Sequence, residues 1–270
     1  MKQIVAIILL MMASFQMSAQ QTSPVQHDWR GRRVAYFGDS ITDPNVKTTQ
    51  KRYWELLADW LNITSYCYAV SGRQWDDIPR QTQKLKEDHN DDFDAIIIFM
   101  GTNDFNAAVP IGEWWTEGEA EVEAAVHGPK QLVKRIRRTP NLDPKTYKGR
   151  INIALQNLKK TYPTKQIVLL TPIHRAFATF GEQNVQPDES YQNAIGEWFS
   201  TYVDVIKEAG NIWAIPVIDI NSLSGLYPLL PEHHQFFGNP QTDQLHPNDA
   251  GHFRLARTLY YQLSTIPCVF

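Results

Sequence analysis

Cysteine is almost absent from this chain, and neither sign of charge dominates it. Two cysteines occur among 270 residues, too few for the disulfide framework that stabilises many small secreted proteins. Cys67 and Cys268 could form one bridge between the second predicted strand and the C-terminus, or stay a buried strand residue and a tail residue; the sequence leaves both open. The net charge of -3 gives no electrostatic reason to expect a nucleic acid or an anionic membrane surface as a partner.

Long hydrophobic runs are also missing, apart from one at the N-terminus. A positively charged start precedes an apolar run over residues 4–12, which gives way to small residues. This pattern is typical of a signal peptide and is too short for a comfortable membrane span. We predict a signal peptide over residues 1–20, cleaved after Ala19 or Gln20, and a flexible segment over residues 21–30; a buried first helix is the alternative. The expected product is exported, to a periplasm or out of the cell, and has no stable membrane anchor.

The rest of the sequence alternates between strand and helix patterns, without internal repeats. Continuous apolar runs, which suit parallel strands buried on both faces, occur at residues 33–37, 66–70, 95–100, 166–170 and 216–218. Helical periodicity lies between and after them, at residues 51–61, 147–158, 195–206 and 248–263. This order predicts a single α/β domain over residues 31–270, a three-layer α/β/α sandwich with a five-stranded, mostly parallel sheet.

One long segment, at about residues 105–146, interrupts the alternation. It shows no clean strand pattern and contains the pair Trp114-Trp115. Connections of this length are usually functional rather than mere spacers. Because the segment leaves directly from a polar strand end, we predict an insertion that forms a wall of the functional site.

Four short polar blocks carry the chemistry of this sequence. They are Gly38–Thr42, Ser71-Gly72, Gly101–Asp104 and Asp243–His246. The first three fall at the C-terminal ends of predicted strands, where open α/β sheets place their active sites. The fourth directly precedes the last predicted helix. We therefore expect the four blocks to meet at one edge of the sheet.

The residue types in these blocks are those of nucleophilic catalysis. A serine hydroxyl becomes an effective nucleophile when an imidazole accepts its proton and a carboxylate orients the imidazole. Ser40, His246 and Asp243 can supply these three groups, and the three-residue spacing places the last two on one turn. The backbone N–H groups of Ser40 and Gly72 and the side-chain amide of Asn103 are candidate donors to an oxyanion. Each block alone is also explained by a strand-to-helix turn or a helix cap; together they predict a serine ester hydrolase.

In these blocks the chain resembles the SGNH hydrolase superfamily, also called the GDSL lipase/esterase family. The four name-giving residues of that family match Ser40, Gly72, Asn103 and His246, with Asp243 in the usual Asp-x-x-His arrangement. The resemblance covers the chain from Arg33 through the last helix. It implies a flavodoxin-like fold and chemistry that needs no metal or cofactor. The insertion at residues 105–146 departs from the pattern, so the resemblance says little about the substrate.

Residues near the blocks indicate which ester is cleaved. Aromatic side chains with polar neighbours suit a carbohydrate, because its C–H face can stack on a ring while its hydroxyls form hydrogen bonds. The alternative for each aromatic side chain is loop packing. Arg175 is either a recognition group for an acidic sugar or part of a surface ion pair. The predicted substrate contacts are Trp75, Phe105, Trp114, Trp115 and His174.

These observations favour an exported carbohydrate esterase that removes O-acetyl or similarly small acyl groups. The expected partner is a small-molecule or polysaccharide ester. A lipid esterase or lysophospholipase is the alternative among enzymes, and a glycan-binding protein on an inactive hydrolase scaffold is the alternative outside them. A metal site at His233-His234 with His246 is an unfavoured alternative, since the serine, histidine and aspartate already form a complete set.

Overall fold

The computed structural model describes residues 27–125 and 127–270, which contain eleven strands and seven α-helices. The strands are β1 (Arg33–Gly38), β2 (Thr64–Cys67), β3 (Ala95–Phe99), β4 (Trp115–Ala124), β5 (Gln131–Pro140), β6 (Gln166–Leu170), β7 (Ala178–Thr179), β8 (Val185–Gln186), β9 (Val217–Ile218), β10 (Phe237–Asn239) and β11 (Asp243–Pro247). The helices are α1 (Tyr53–Leu61), α2 (Ile78–His89), α3 (Thr102–Asn106), α4 (Tyr147–Thr161), α5 (Phe199–Trp213), α6 (Ile220–Leu223) and α7 (Asp249–Leu263).

Five parallel strands form the central sheet, in the order β2-β1-β3-β6-β9. Ala35 pairs with Ile96, and Ile97 pairs with Val168, so β3 lies at the middle of the sheet. The chain adds β2 on one side of β1 and the later strands on the other, which makes the β1/β3 boundary the topological switch point. Ligands of open α/β sheets bind at such a point, outside the carboxyl ends of the strands.

Two hydrophobic cores lie on opposite faces of this sheet. Successive side chains of a strand point to opposite faces, so Phe37 and Ile98 pack against α2, α4 and α5, whereas Tyr36 and Ile97 pack against α1 and α7. The predicted three-layer α/β/α sandwich is therefore confirmed, and all five predicted strands are present in the central sheet.

The N-terminal end of the described chain is packed onto the domain. Trp29 is fully buried, and its ring meets that of Phe270 edge-on with the centroids 5.3 Å apart. The prediction of a flexible segment over residues 21–30 is thus wrong for residues 27–30, because burying an indole ring stabilises their attachment. Residues 21–26 and the predicted signal peptide, residues 1–20, lie outside the described residues.

A second, antiparallel sheet was not predicted. Its strands are only two to five residues long and lie in the order β10-β11-β7-β8. Asp243 and His246, which we expected on a turn, belong to β11, and Asp243 pairs with Ala178 of β7. The chain then enters α7 at once, where the Asn248 side chain caps the helix by accepting the N–H groups of Ala250 and Gly251.

The segment predicted to lack strands contains the longest strands of the described chain. β4 and β5 pair in register over ten residues each, from Trp115 opposite Pro140 to Ala124 opposite Gln131. Cross-strand ion pairs such as Glu117–Arg138 and Glu119–Lys134 line this hairpin. Most of its side chains are exposed, and it adds to neither core beyond its base.

Both cysteines are free thiols, so the structure shows no bridge between them. Cys67 Sγ donates to the Thr42 carbonyl at 3.4 Å, and burial raises the pKa of this thiol to about 12. Among the described residues, no helix is both long and apolar enough to cross a bilayer.

Candidate active site

Ser40 lies where β1 ends and the chain turns away from the sheet. The turn passes so close to β3 that a Cβ at Gly38 would lie 2.8 Å from the Phe99 carbonyl oxygen, which explains the glycine. The backbone N–H groups of Thr42 and Asp43 both donate to the Asp39 carbonyl, at 3.0 and 2.9 Å. These bonds fix one helical turn around Ser40, whose side chain is left at the surface of a cavity.

The side chain of His246 meets Ser40 across 206 residues of sequence. Its Nε2 lies 2.8 Å from Ser40 Oγ, and its Nδ1 lies 3.0 Å from Asp243 Oδ2. A carboxylate only accepts, so Nδ1 carries the proton and Nε2 is free to accept the serine proton. All three residues are 8% exposed. This arrangement has the geometry that activation of a serine nucleophile requires.

Asp243 also shapes the backbone that carries His246. Its Oδ1 accepts the N–H groups of Leu245 and His246, at 3.2 and 3.0 Å. One carboxylate therefore closes the turn and orients the imidazole on it. Because Asp243 and His246 are three residues apart, the Asp243 carboxylate reaches both the backbone N–H and the imidazole of His246.

Gly72 lies beside Ser40 in a backbone conformation that favours glycine. Its φ is +76°, in the left-handed region, while a Cβ there would meet no atom within 4 Å. The preceding Ser71 is fixed by its N–H and its hydroxyl, which both donate to Asp43 Oδ2 at 2.8 Å. Burial alone would raise the pKa of Asp43, but hydrogen bonds from Asn45 and Ser71 outweigh it and lower the pKa. The charged Asp43 thus ties the loop of Gly72 to the turn of Ser40.

Asn103 reaches the same cavity from α3. Its Nδ2 donates one N–H to the Arg73 carbonyl at 3.1 Å, which orients the amide and leaves its second N–H available. In the described part of the chain, the backbone N–H groups of Ser40 and Gly72 donate to no other group. The three predicted oxyanion donors are therefore brought to one wall of the cavity.

Two buried carboxyl groups lie directly behind this wall. Burial raises the pKa of Asp39 to about 6, although its Oδ1 accepts the Ile41 N–H. Burial likewise raises the pKa of Asp104 to about 7, against the opposing effects of the Trp75 N–H and the Arg150 guanidinium. Asp104 accepts both groups, at 3.1 and 3.0 Å, and so joins three segments beneath Asn103.

The cavity has a volume of about 720 Å³, within the range of small-molecule sites. Its walls carry several side-chain amides and hydroxyls: Asn103, Asn184, Gln186, Asn239, Thr48, Ser71, Thr179 and Thr242. The only aromatic side chain among the described lining residues is Phe180, which is 45% exposed. Its ring lies edge-on to His246 with the centroids 5.3 Å apart. Sequence reasoning missed Phe180; the Phe180-Gly181 pair was a turn signal that could have placed it at a loop tip.

The residues predicted to contact substrate lie elsewhere. Trp75, Phe105 and Trp114 are 0%, 4% and 7% exposed and belong to the hydrophobic core under α4 and α5. We correct the prediction for Trp75 and Trp114, because buried rings that fill a core cannot also stack on a ligand. Phe105 likewise packs in the core, but it also borders a second, smaller cavity. Trp115 packs on the same core, and His174 pairs with Glu189; neither borders the cavity. The insertion that contains both tryptophans therefore does not wall this cavity.

Arg175 lies under the cavity floor and not at the surface. It is 1% exposed; its guanidinium donates to Gln186 Oε1 at 2.8 Å and, with longer contacts, to Thr102. Burial lowers its pKa to about 10. The buried Arg175 therefore has neither predicted role, recognition of an acidic sugar or a surface ion pair, and instead connects β8 to α3.

His233 and His234 are used within their own turn. The first accepts the Tyr227 N–H and the second contacts the Pro228 carbonyl. Within residues 27–125 and 127–270, no group of three or more His, Cys, Asp or Glu is placed to hold a metal ion.

Comparison with known families decides the family. Residues 36–254 match the GDSL-like Lipase/Acylhydrolase family, and this range includes Ser40, Gly72, Asn103 and His246. The chain belongs to this family. Its members are ester hydrolases, and we conclude that this GDSL-like protein is one as well. A comparison with curated proteins finds no match.

Solved structures share the fold of this GDSL-like chain at low sequence identity. A protein from Lactobacillus plantarum is 24% identical, with a TM-score of 0.67 over 87% of this chain and 98% of its own. A possible lipase from Chitinophaga pinensis is 20% identical, with a TM-score of 0.61 over 86% and 97%. An acetylxylan esterase from Geobacillus stearothermophilus, in a catalytic mutant, is 15% identical, with a TM-score of 0.52 over 89% and 97%. At these identities the likeness shows the fold alone.

Proposed function

We propose that this protein is an exported serine esterase that removes O-acetyl or other small acyl groups from a carbohydrate. The observation that carries the substrate class is the lining of the catalytic cavity. Nine of its seventeen described lining residues carry a side-chain amide or hydroxyl, and the apolar side chains among the described ones are Val46, Phe180 and Leu245. A sugar has hydroxyls to pair with the wall groups that form no hydrogen bond among the described residues, such as the Nδ2 groups of Asn184 and Asn239. A long acyl chain would leave such groups without partners, at a cost of about 1–3 kcal/mol for each one buried.

The hydrogen-bonded side chains define the chemical steps. Ser40 Oγ attacks the ester carbonyl while His246 Nε2 accepts its proton, and a tetrahedral intermediate forms. The N–H groups of Ser40, Gly72 and Asn103 stabilise the oxyanion, an effect worth several kcal/mol where donors are preorganised. The intermediate collapses when the sugar oxygen leaves with the proton from His246, so that the acyl group stays on Ser40. Water then attacks the acyl-enzyme as His246 accepts its proton; the bond from the acyl carbon to Ser40 Oγ breaks as His246 returns the proton to Oγ, and the carboxylic acid is released. Asp243 stabilises each imidazolium.

Phe180 supplies the apolar contact that a sugar ring needs. Its ring is exposed at the cavity edge and lies next to His246. A pyranose stacked there would bring a ring substituent to the Ser40 hydroxyl. One aromatic surface with amides around it suits a ring with polar edges better than a flexible chain.

The test is an acyl-chain profile on p-nitrophenyl esters from acetate to palmitate, with Ser40→Ala alongside. We expect a strong preference for acetate, and an activity at least about 10³-fold lower in the variant, as for loss of a nucleophile. Ser200→Ala, on the exposed face of α5, is the control and should match wild type. Preference for long chains would move the function to lipid esters. Activity that survives in Ser40→Ala would refute the assignment of the nucleophile.

A further inference from the structure

A second cavity lies on the far side of the β7–β8 hairpin. Its volume is about 310 Å³, and it opens between the hairpin tip, the end of α3 and the loop that follows β8. Asn106, Gln183, Asn184, Val185, Tyr191 and Gln192 supply most of its wall. None of the predicted catalytic groups borders it.

Two structural elements run from one cavity into the next. Asn184, at the hairpin tip, borders both. Successive residues of β8 point to opposite sides, so Gln186 faces the catalytic cavity and Val185 the second one. On α3, Asn103 and Asn106 are three residues apart and hence on one face of the helix, with one at each cavity. The two cavities therefore lie on either side of the hairpin and adjoin at Asn184.

The second cavity has the chemistry of a sugar site. Tyr191 is 63% exposed, which leaves its ring available for stacking. The amides of Asn106 and Gln183 form no hydrogen bond within the described residues and can pair with hydroxyls. Asp188 is the only charged residue among the lining residues, and its Oδ1 already accepts the N–H of Ser190. A neutral sugar fits this set of groups better than a charged one.

The loop that carries Tyr191 is anchored by the neighbouring Asn193. Its Nδ2 donates to the Phe105 carbonyl and to Tyr202 Oη, at 3.1 and 3.0 Å. Its Oδ1 accepts the N–H groups of Ile195 and Glu197. Two of these hydrogen bonds hold the loop against the core and two fix its own backbone, so Tyr191 is presented on a preorganised surface, which lowers the entropic cost of binding.

We propose that the second cavity is a subsite for a neutral sugar unit next to the acylated unit in the catalytic cavity. The inference rests on the proposed function and extends it: the substrate is an acylated oligosaccharide or polysaccharide, bound across the hairpin by at least two sugar units. Tyr191 stacks on the distal unit, while Asn184 contacts the linkage region between the cavities.

The test compares kcat/KM on two series of chemically O-acetylated sugars, from xylose to xylotriose and from glucose to cellotriose. For wild type we expect a rise of roughly tenfold or more from monosaccharide to trisaccharide in at least one series, equivalent to about 1.4 kcal/mol. Tyr191→Ala should lose this rise and keep wild-type activity on the monosaccharides. Tyr261→Ala, an equally exposed tyrosine on α7, is the control and should keep the rise. Asn106→Ala gives a second variant whose loss of the rise supports the subsite.

Two results would overturn the subsite, and they differ from failure of the proposed function. One is equal kcat/KM for mono- and trisaccharides in wild type; the other is a rise that Tyr191→Ala and Asn106→Ala both retain. In either case the esterase assignment stands. If Ser40-dependent cleavage of p-nitrophenyl acetate is present but acetylated sugars of every length are refused, the carbohydrate assignment itself fails.

Discussion

Two hairpins extend from the same α/β scaffold, and among their described residues only those of the shorter one border the cavity at Ser40. The β7–β8 hairpin has two-residue strands, yet it supplies Phe180, Asn184 and Gln186 to the cavity wall. The β4–β5 hairpin has ten-residue strands and contributes none of the residues that line it. Sequence length had pointed to the long insertion as the site wall.

The difference lies in how each hairpin is attached. β7 pairs with β11 at Asp243, and the buried Arg175 binds Gln186 of β8 to the start of α3. The long hairpin is held at its base by Trp114, whose Nε1 donates to Glu208, and along its length by exposed cross-strand ion pairs. Solvent screens such pairs, so they contribute little to stability. Both hairpins have buried anchors at their bases, so the position of those anchors, and not the length of the chain, determines which hairpin borders the cavity.

The largest effect should come from Asn103, on the helix that Arg175 joins to the short hairpin. Asn103→Ala removes one donor to the oxyanion, and we expect kcat to fall by roughly 10²–10³. The side chain is half-buried and makes one hydrogen bond, so the melting temperature should change little. Kinetics on p-nitrophenyl acetate with a thermal melt check both points. An unchanged kcat would remove Asn103 from the oxyanion site.

The second prediction concerns Asp39, the buried carboxyl group behind Ser40. The pKa of Asp39 is about 6 in the folded chain, against an ordinary value of 3.8. The folded state thus binds this proton more tightly, and the resulting contribution to stability is present below about pH 4 and lost as pH rises through 6. Asp39→Asn keeps an acceptor for the Ile41 N–H and removes the buried charge.

We therefore expect Asp39→Asn to raise the free energy of unfolding at pH 7 by up to about 2 kcal/mol relative to wild type, and by much less at pH 4. Urea titrations at the two pH values measure the difference. The same gain at both would show that the effect does not come from the titration of Asp39.

A smaller effect should distinguish a residue of the short hairpin from a residue of the long one. Phe180→Ala should raise KM for an acetylated sugar by roughly tenfold, because it removes the stacking surface at the cavity edge, an effect of about 1.4 kcal/mol. Ile136→Ala, at an exposed position of the long hairpin, should leave KM unchanged. Equal effects of the two substitutions would contradict the assignment of Phe180.

The smallest effect should follow from shortening the long hairpin. Replacing residues 118–137 with Asn-Gly keeps Trp114, the strand base and the Glu117–Arg138 pair, and closes the strands with a favoured two-residue turn. We expect kcat/KM on p-nitrophenyl acetate and on acetylated sugars to stay within roughly twofold of wild type, as for changes remote from the site. A large loss on acetylated sugars alone would show that the long hairpin contacts substrate after all.

Sequence reasoning succeeded where local pattern and burial agree. The central strands are apolar on both faces, so runs such as Ala95–Phe99 are recognisable without tertiary information. The polar blocks that follow them were placed together for the same reason, since parallel strands end at one edge. His246 lies within hydrogen-bond distance of both Ser40 and Asp243, as the predicted chemistry requires, and the catalytic roles of the three stay a prediction.

Sequence reasoning failed where tertiary contacts decide the structure. β4 alternates glutamate with small residues and β5 is rich in Lys and Arg, so neither shows the apolar pattern of a strand. Three of the four strands of the small sheet are only two or three residues long, too short to show an alternation in the sequence. Trp75 follows the Gly72 turn closely in sequence, but that proximity does not indicate which way the ring points, and the ring turns into the core.

Asp243 and His246 lie on the one strand β11, where the Asp243 carboxylate bonds both the backbone and the imidazole of His246, whereas Ser40 follows the carboxyl end of β1 in the central sheet. The histidine and the aspartate therefore move as one body, and a displacement of the small sheet relative to the large one changes chiefly a single distance, the 2.8 Å from Oγ to Nε2. Misplacing reacting groups by about 1 Å can cost roughly 10²-fold in rate. Under the proposed chemistry, the turnover rate thus depends on how firmly the two sheets pack against each other. Substitutions where the two sheets meet should lower this rate before they unfold the protein.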